Sequence, residues 1–284
     1  MIESRNLYRI QSGLTKGNKT IPIKTIEKDY VLSWILIGIA MSGMQDVMSF
    51  KGGTALKKVY FHDYRFSEDL DFTLLNSLSI DDITGMLESV YSIVLDASNI
   101  KLILSSKEIY ANGYTFFVNF SGPLGADITR GEIKIDFTIN EKLINRPVVK
   151  TLLREYDEYT DMPEGDKLKV YPLAEIFIEK YISILDKSRN EPRDIYDLWY
   201  LVSNECVEIA FLGRGIKEKG MYKGLKNFDI IEMLDRKENN YNKLWDARLS
   251  NHMINLPYFN KVYRELKKYL KPLNKLIMAQ GLNL

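Results

Sequence analysis

A change in the spacing of apolar residues near Pro172 constrains the fold of this 284-residue chain most strongly. Before this point, apolar and polar residues alternate, or β-branched and aromatic residues dominate, in three segments: 100–105, 114–120 and 132–139. After it, apolar residues recur at helical spacing in four segments: 173–185, 193–203, 207–219 and 257–270. Alternation predicts strands and the 3.6-residue period predicts helices. The chain is therefore expected to have an α+β fold, with a small mixed sheet flanked by helices and a helical C-terminal domain.

Further elements follow from local signals. Helices are expected over 25–41, 55–61 and 80–97, strands over 47–50 and 69–74, and edge strands over 147–154 and 169–171. The first 20 residues are polar, and we expect them to be loosely held. Pro163, Gly165 and nearby charges indicate a boundary, because Pro and Gly interrupt regular structure. The predicted domains are an α/β core, 1–165, and a helical domain, 166–284.

Composition excludes several classes of protein. The chain is 45% hydrophobic and 27% charged, which is typical of a globular protein and excludes a disordered chain, a collagen-like chain and a coiled coil. The single cysteine, Cys206, excludes an internal disulfide and a multi-cysteine zinc site. The longest apolar run, 31–41, is 11 residues long, whereas a membrane span needs about 20. No signal-peptide pattern opens the chain, so a cytoplasmic protein without a membrane partner is expected.

Charge is distributed unevenly along the chain. Residues 213–284 contain 15 basic and 7 acidic residues, although the whole chain has a net charge of only +1. Five basic residues lie within 11 positions of this part: Lys261, Arg264, Lys267, Lys268 and Lys271. Such asymmetry suggests an anionic partner for the basic end.

Three carboxylates are candidates for chemistry. Asp69 and Asp71 are separated by one residue on a predicted strand, so their side chains lie on the same face. Asp136 lies in the middle of another predicted strand, where a charge is costly unless it is paired or binds a metal ion. If the two strands are neighbours, the carboxylates converge, and such oxygen ligands suit Mg²⁺ or Mn²⁺ holding a triphosphate. The alternative is an exposed strand whose Asp side chains face water.

A glycine-rich turn precedes these carboxylates. Gly52, Gly53 and Thr54 follow a predicted strand and open a helix, 15 residues before Asp69. Glycine lets phosphate oxygens approach the backbone, and the free amides of a helix start favour anions. The segment is not a Walker loop, because no Gly-Lys-Ser/Thr follows at the required spacing. Lys51 and Lys57 either add positive charge for a substrate or are solvated on the helix face.

Charged residues of the helical part have two interpretations each. Lys180 lies on an apolar helix face and needs an anion, either a triphosphate or Asp194, unless it snorkels beside the core. The group formed by Arg193, Asp194 and Asp197 belongs to a site or is a charged cluster at a helix start. Arg65, in the first half of the chain, binds phosphate or holds a neighbouring glutamate.

Taken in order, several blocks resemble the AbiEii/AbiGii toxin family. The blocks are FKGGTAL at 50–56, RFSEDLDF at 65–72, IDF at 135–137, PLAEIFIEK at 172–180 and PRDIYDL at 192–198. Members of that family are nucleotidyltransferases of the DNA polymerase β-like superfamily, and act as toxins of type IV toxin–antitoxin and phage-abortive systems. The resemblance covers roughly residues 24–203 and is specific because the blocks occur together. It implies a nucleotidyltransferase-type mixed β-sheet.

The resemblance also implies residue roles. Asp69 and Asp71 match the metal-binding pair and Asp136 the third carboxylate, while Lys180 and Asp194 match the lysine and the acidic residue of the later motifs. The implied catalytic residues are Asp69, Asp71, Asp136, Lys180 and Asp194, and the first three are the implied metal ligands. The implied substrate-binding residues are Gly52, Gly53, Thr54, Lys57, Arg65, Ser67, Arg193 and Asp197.

The implied function is metal-dependent transfer of a nucleoside monophosphate from an NTP onto the 3′ end of tRNA, with release of pyrophosphate. Mg²⁺ or Mn²⁺ is the implied cofactor, and an antitoxin or transcriptional regulator is the implied protein partner. The basic end of the chain fits an RNA backbone. Three alternatives remain open: a protein hydroxyl as acceptor, a glycosyltransferase using Asp-x-Asp, and a non-catalytic module that binds nucleotide or RNA. The complete set of carboxylates argues against a non-catalytic module.

Overall fold

The computed structural model describes residues 1–125, 127–128 and 131–279. These residues form two compact units. The first unit contains Met1–Glu141, Pro147–Val170 and Asn251–Ile254. The second contains Lys142–Arg146, Tyr171–Ser250 and the segment from Asn255 onward. The main division therefore follows Val170, five residues after the boundary expected from sequence, and residues 280–284 of the predicted helical domain lie outside the described residues.

The first unit has an α+β composition. Its helices are α1 (Ser4–Leu14), α2 (Ile23–Ser42), α3 (Gly52–Ala55), which continues as a π-helical turn (Leu56–Tyr60), and α4 (Ile80–Ser98). Its strands are β1 (Met48–Lys51), β2 (Asp69–Leu74), β3 (Lys101–Tyr110), β4 (Gly113–Ser121), β5 (Glu132–Thr138), β6 (Val148–Thr151) and β7 (Lys167–Val170). The predicted mixed sheet with flanking helices is confirmed.

The seven strands of the described residues form one mixed sheet in the order β3-β4-β5-β2-β1-β7-β6. Strand β2 pairs in parallel with β5, and β1 pairs in parallel with β7. The remaining neighbours are antiparallel. One face of the central strands carries stacked aromatic rings, with Phe72 5.2 Å from Phe50 and 5.4 Å from Phe137 between ring centroids. Because side chains alternate along a strand, the polar residues between these rings lie on the opposite face.

The N-terminal segment differs from its prediction. Residues expected to be loosely held form α1, which buries Leu7 and Ile10 and packs against α2. The two apolar residues are three positions apart, which places them on one helix face. The expectation of a loosely held N-terminus was wrong because its polar composition concealed this short amphipathic pattern.

The second unit is helical in its described part. Its helices are α5 (Leu173–Leu185), α6 (Pro192–Ser203), α7 (Gly213–Tyr222), α8 (Ile230–Leu249) and α9 (Phe259–Ala279). Sequence analysis did not identify α8, whose buried residues are widely spaced among charged and amide side chains. Glu175 in α5 accepts backbone N–H bonds from Ile144 and Asn145, which ties the segment Lys142–Arg146 to this unit. In the described part of the chain, no helix has the length and apolarity that crossing a membrane requires.

A buried ionic cluster lies within the first unit. Lys57 and Lys58, both 1% exposed, form ion pairs of 2.6 Å with the two carboxylate oxygens of Glu155. Lys58 also lies 2.7 Å from Asp29. Burial is the largest influence on Glu155 and raises the pKa of its carboxyl group. The charge of Lys57 is therefore compensated inside the fold, and the expected role of Lys57 in substrate binding stays a prediction.

Glu155→Gln tests this cluster. The substitution keeps the side-chain volume but removes one negative charge, leaving two buried lysines with Asp29 alone. Breaking a buried ion pair leaves a buried charge without a counter-charge. We therefore expect the free energy of unfolding, measured by urea denaturation, to fall by about 3–5 kcal/mol. Asp81→Asn is the control, since Asp81 is 86% exposed and pairs with Lys107 at the surface. Similar small losses in both variants would contradict a structural role for the cluster.

Candidate active site

Three carboxylates meet on the polar face of the sheet. Asp69 and Asp71 are two residues apart on β2, and Asp71 is the register partner of Asp136 on β5. On the other side of β2, Asp71 is the register partner of Lys51 on β1. Both strand neighbours of Asp71 are therefore charged residues. The structure therefore brings together the carboxylates that sequence analysis selected, through the parallel pairing of β2 with β5.

Lys134 lies among these carboxylates. It is the register partner of Asp69, and its Nζ lies 2.5 Å from Oδ2 of Asp136. Burial lowers the pKa of Lys134, but the hydrogen bond and charge of Asp136, together with Asp69 and Asp71, outweigh it and leave the pKa raised. Sequence analysis missed this residue. Its position two residues before Asp136 on a strand was the available signal, since that spacing places both side chains on one face.

The glycine turn is packed directly against the carboxylates. Gly52 has φ +79°, a conformation that favours glycine. A Cβ atom at Gly52 would lie 2.4 Å from Oδ2 of Asp71, and one at Gly53 would lie 2.3 Å from Nη2 of Arg65. Both glycines are therefore required by close approaches. The turn places the first amide of α3 beside Asp71 and the buried guanidinium of Arg65 beside Gly53, which is an arrangement suited to phosphate oxygens.

Thr54 and Ser67 have a different role from the one expected. Thr54 is 1% exposed, and its hydroxyl donates to the carbonyl oxygen of Asp69 at 2.5 Å. The hydroxyl oxygens of Thr54 and Ser67 lie 2.7 Å apart, and Ser67 is 8% exposed. Because these hydroxyls bond inside the fold, both residues fix the start of β2 and the position of Asp69.

A cleft of about 210 Å³ opens beside Asp71 and Asp136. Thr115 on β4 borders it and donates a hydrogen bond of 2.5 Å to Oδ1 of Asp136. Lys51 lines the same cleft on the other side of Asp71. Sequence analysis did not identify Thr115. Only the strand pairing reveals it, because it comes from β4 rather than from the strands that carry the carboxylates.

The second unit contains its own charged cluster. Nζ of Lys180 lies 2.7 Å from Asp194 and 2.8 Å from Asp197, while Arg189 lies 2.6 Å from Asp194. Burial raises the pKa of Asp194, but the charges of Lys180 and Arg189 outweigh it and hold the pKa below its usual value. The cluster therefore contributes stability above pH ~4 and loses it as the pH falls further. Arg189 was not predicted.

Arg193 and Asp197, both expected to bind substrate, have partners within this unit. Arg193 pairs with Glu191 at 3.1 Å rather than with the aspartates of its own helix. Asp197 is fully buried and holds Lys180. The structure thus gives Asp197 a positioning role, and it gives Arg193 a pair at the start of α6.

The donor set of the first unit fits a hard divalent cation. Carboxylate oxygens are the ligands that Mg²⁺ and Mn²⁺ prefer. Within residues 1–125, 127–128 and 131–279, no group of three or more Asp, Glu, His or Cys side chains is arranged to hold an ion as it stands. The ammonium group of Lys134 supplies positive charge among the carboxylates instead. A bound divalent cation would therefore take over the electrostatic role that Lys134 performs here.

Comparison with known proteins shows the fold and the family of the chain. The fold is shared with MenT4, a nucleotidyltransferase toxin from Mycobacterium tuberculosis: the two are 16% identical, the match covers 96% of this chain and 90% of that chain, and the TM-score is 0.65. It is also shared with JHP933 from Helicobacter pylori: the two are 16% identical, the match covers 92% of this chain and 96% of that chain, and the TM-score is 0.55. No curated protein matches the chain. The family model "Nucleotidyl transferase AbiEii toxin, Type IV TA system" matches residues 34–270. The chain, with its glycine turn beside paired carboxylates, therefore belongs to the AbiEii nucleotidyltransferase toxins of type IV toxin–antitoxin systems.

Proposed function

We propose that this nucleotidyltransferase moves a nucleoside monophosphate from an NTP onto the 3′-terminal hydroxyl of a tRNA, with Mg²⁺ or Mn²⁺ as cofactor. One observation carries the proposal: Asp71 and Asp136 are register partners, and the glycine turn packs against Asp71. This places candidate metal ligands beside a candidate phosphate site. A cognate antitoxin protein or transcriptional regulator is the proposed protein partner, as the family name indicates.

Asp69, Asp71 and Asp136 would hold the cation, which supplies charge neutralisation on the phosphates and lowers the pKa of the attacking hydroxyl. The hydroxyl oxygen bonds to the α-phosphorus, and the bond from the α-phosphorus to its bridging oxygen breaks. Pyrophosphate leaves with that electron pair, and Asp136 takes the hydroxyl proton. The amides of Gly52 and Gly53 bind phosphate oxygens. Positioning and electrostatics dominate such transfers, so little covalent help is required from the protein.

For the second unit we propose that Lys180 is a catalytic residue, as the match of residues 172–180 to the family's block implies. Its ammonium group is held by Asp194 and Asp197, so its position is fixed without a ligand. Arg189 pairs with the same Asp194 and keeps that carboxylate charged. In this proposal Asp194 acts through Lys180, by holding it in place.

The acceptor is proposed to be RNA because of a basic stripe on α9. The stripe consists of exposed residues spaced three and four apart: Lys261, Arg264, Lys268, Lys271 and Lys275. This spacing places them on one helix face, over roughly 21 Å at 1.5 Å per residue. Lys267, which sequence analysis grouped with them, pairs instead with Asp235. A row of exposed cations suits a phosphate backbone, whereas a protein hydroxyl offers it no matching charge.

Asp71→Asn tests the carboxylate site. We expect transfer of labelled nucleotide onto total RNA to fall about 100-fold or more, as when a key electrostatic group is removed from an active site. Asp81→Asn is the matched control, since Asp81 is an exposed aspartate of α4. Circular dichroism of both variants verifies folding. Near-normal transfer by Asp71→Asn in Mg²⁺ would exclude Asp71 as a metal ligand, and label in protein instead of RNA would favour the protein acceptor.

Lys134→Met tests whether this lysine and a cation compete for the same carboxylates. Removing this ammonium group weakens the charge balance among the three carboxylates, so the melting temperature without metal should fall by a few degrees. The Kd for Mn²⁺, measured by calorimetry, should fall about fivefold, which corresponds to the ~1 kcal/mol of a partly exposed pair. Lys107→Met is the control: Lys107 lies on β3 and pairs with Asp81 of α4, so its loss should change neither quantity. Weaker Mn²⁺ binding by Lys134→Met would exclude the competition.

Changing Arg264, Lys268 and Lys271 together to Gln tests the stripe. We expect weaker RNA binding and a slope of log affinity against log salt that is shallower by about 2, since each single-strand phosphate contact contributes about 0.7. The control changes three exposed lysines of the first unit to Gln: Lys101, Lys150 and Lys167. Equal RNA affinity and equal salt slopes in the two triple variants would place the RNA contact elsewhere.

A further inference from the structure

The β3–β4 hairpin forms one wall of the cleft at the carboxylates. Tyr110 and Asn112, at the tip of this hairpin, line the cleft together with Asp71, Asp136 and Thr115. Tyr110 is 51% exposed, and Asn112 is exposed. Neither residue is used by the site as described above. The cleft thus continues from the candidate metal ligands to an aromatic ring and an amide.

Strand register places Tyr110 on the same face as the carboxylates. Tyr110 pairs with Gly113, and Gly113 pairs with Thr138, which is two residues beyond Asp136. The hydroxyl of Tyr110 donates to Glu108, which orients the ring. Gly113 has no side chain, so the floor between the ring and β5 is bare. It must be glycine, because a Cβ atom there would lie 2.3 Å from the carbonyl oxygen of Phe137.

The order of the strands separates this hairpin from the phosphate site. Across the sheet the sequence of strands is β4, β5, β2, β1. The turn containing Gly52 and Gly53 follows β1, whereas the tip of the hairpin lies between β3 and β4. Asp136, on β5, therefore lies between the hairpin and Asp71. If the phosphates of a nucleotide bind the glycine turn, the hairpin side of Asp136 stays open. The group that carries the attacking hydroxyl can bind there.

We propose that the β3–β4 hairpin binds the terminal nucleoside of the RNA acceptor, which rests on the function proposed above. Tyr110 stacks on the terminal base, and the side-chain amide of Asn112 hydrogen-bonds its edge. Unpaired RNA bases are recognised in this way, by stacking on aromatic rings and by hydrogen bonds to exposed base edges. A cleft of about 210 Å³ has room for one planar base but is smaller than a typical pocket for a whole ligand. The terminal hydroxyl of that nucleoside then lies on the hairpin side of Asp136.

The test compares Tyr110→Ala, Tyr110→Phe and Tyr8→Ala with the wild-type protein. Tyr8 lies on α1 and is 54% exposed, so it is a matched control for the loss of a half-exposed tyrosine. A stacked base contributes about 1–3 kcal/mol, so the KM for the RNA acceptor should rise roughly 5-fold to 150-fold in Tyr110→Ala. The KM for NTP and the melting temperature should stay unchanged. Tyr110→Phe keeps the ring and should retain near-normal KM values.

Binding of a short single-stranded RNA, followed by fluorescence anisotropy, gives a second readout that does not depend on turnover. Tyr110→Ala should bind it more weakly, and Tyr8→Ala should bind it as the wild-type protein does. An unchanged KM for RNA in Tyr110→Ala, or an equal rise in the KM for NTP, would overturn the acceptor subsite. Failure of the wild-type protein to label RNA would instead refute the proposed acceptor itself, and the subsite with it.

Discussion

The parallel pairing of β2 with β5 is the constraint on which the site depends. Its register makes Asp71 the neighbour of Asp136, and the same register places Phe72 beside Phe137 on the opposite face. Those rings stack in the core with a centroid distance of 5.4 Å. A slip of one residue would exchange the two faces of a strand and bury its carboxylates. The hydrophobic packing that stabilises the sheet therefore also aligns the carboxylates.

Burial separates the charged clusters of this protein into two kinds. Lys57 and Lys58 are almost fully buried with their carboxylates. Separating either lysine from its carboxylate would leave buried charges without a counter-charge and without water around them. Lys134 has a side chain that is 40% exposed, although it also contacts a carboxylate. It can move into water at small cost, because an exposed pair contributes little. The first arrangement stabilises the fold, and the second leaves the carboxylates accessible to another cation.

Local features of the fold and site were predictable from the sequence. The bounds of β2 (Asp69–Leu74) and α5 (Leu173–Leu185) are those expected from the pattern of apolar residues. The two glycines were placed correctly after a strand and at the start of a helix. The shared face of Asp69 and Asp71 followed from their spacing alone, because adjacent residues of a strand point to opposite faces. These predictions succeeded because each depends on the geometry of one continuous segment.

The amino-acid sequence by itself determined the main strands and most of the helices, the shared face of residues within an element, and the motifs that indicate a nucleotidyltransferase. Only the tertiary structure decided that Asp136 is beside Asp71, that Lys57 is buried against Glu155, and that Lys134 lies among the carboxylates. Each of these depends on pairing between segments far apart in the chain. Spacing along one segment determines the face on which each side chain lies. The partner of a charged side chain depends instead on which strand or helix packs beside it, and burial of the whole core determines that packing.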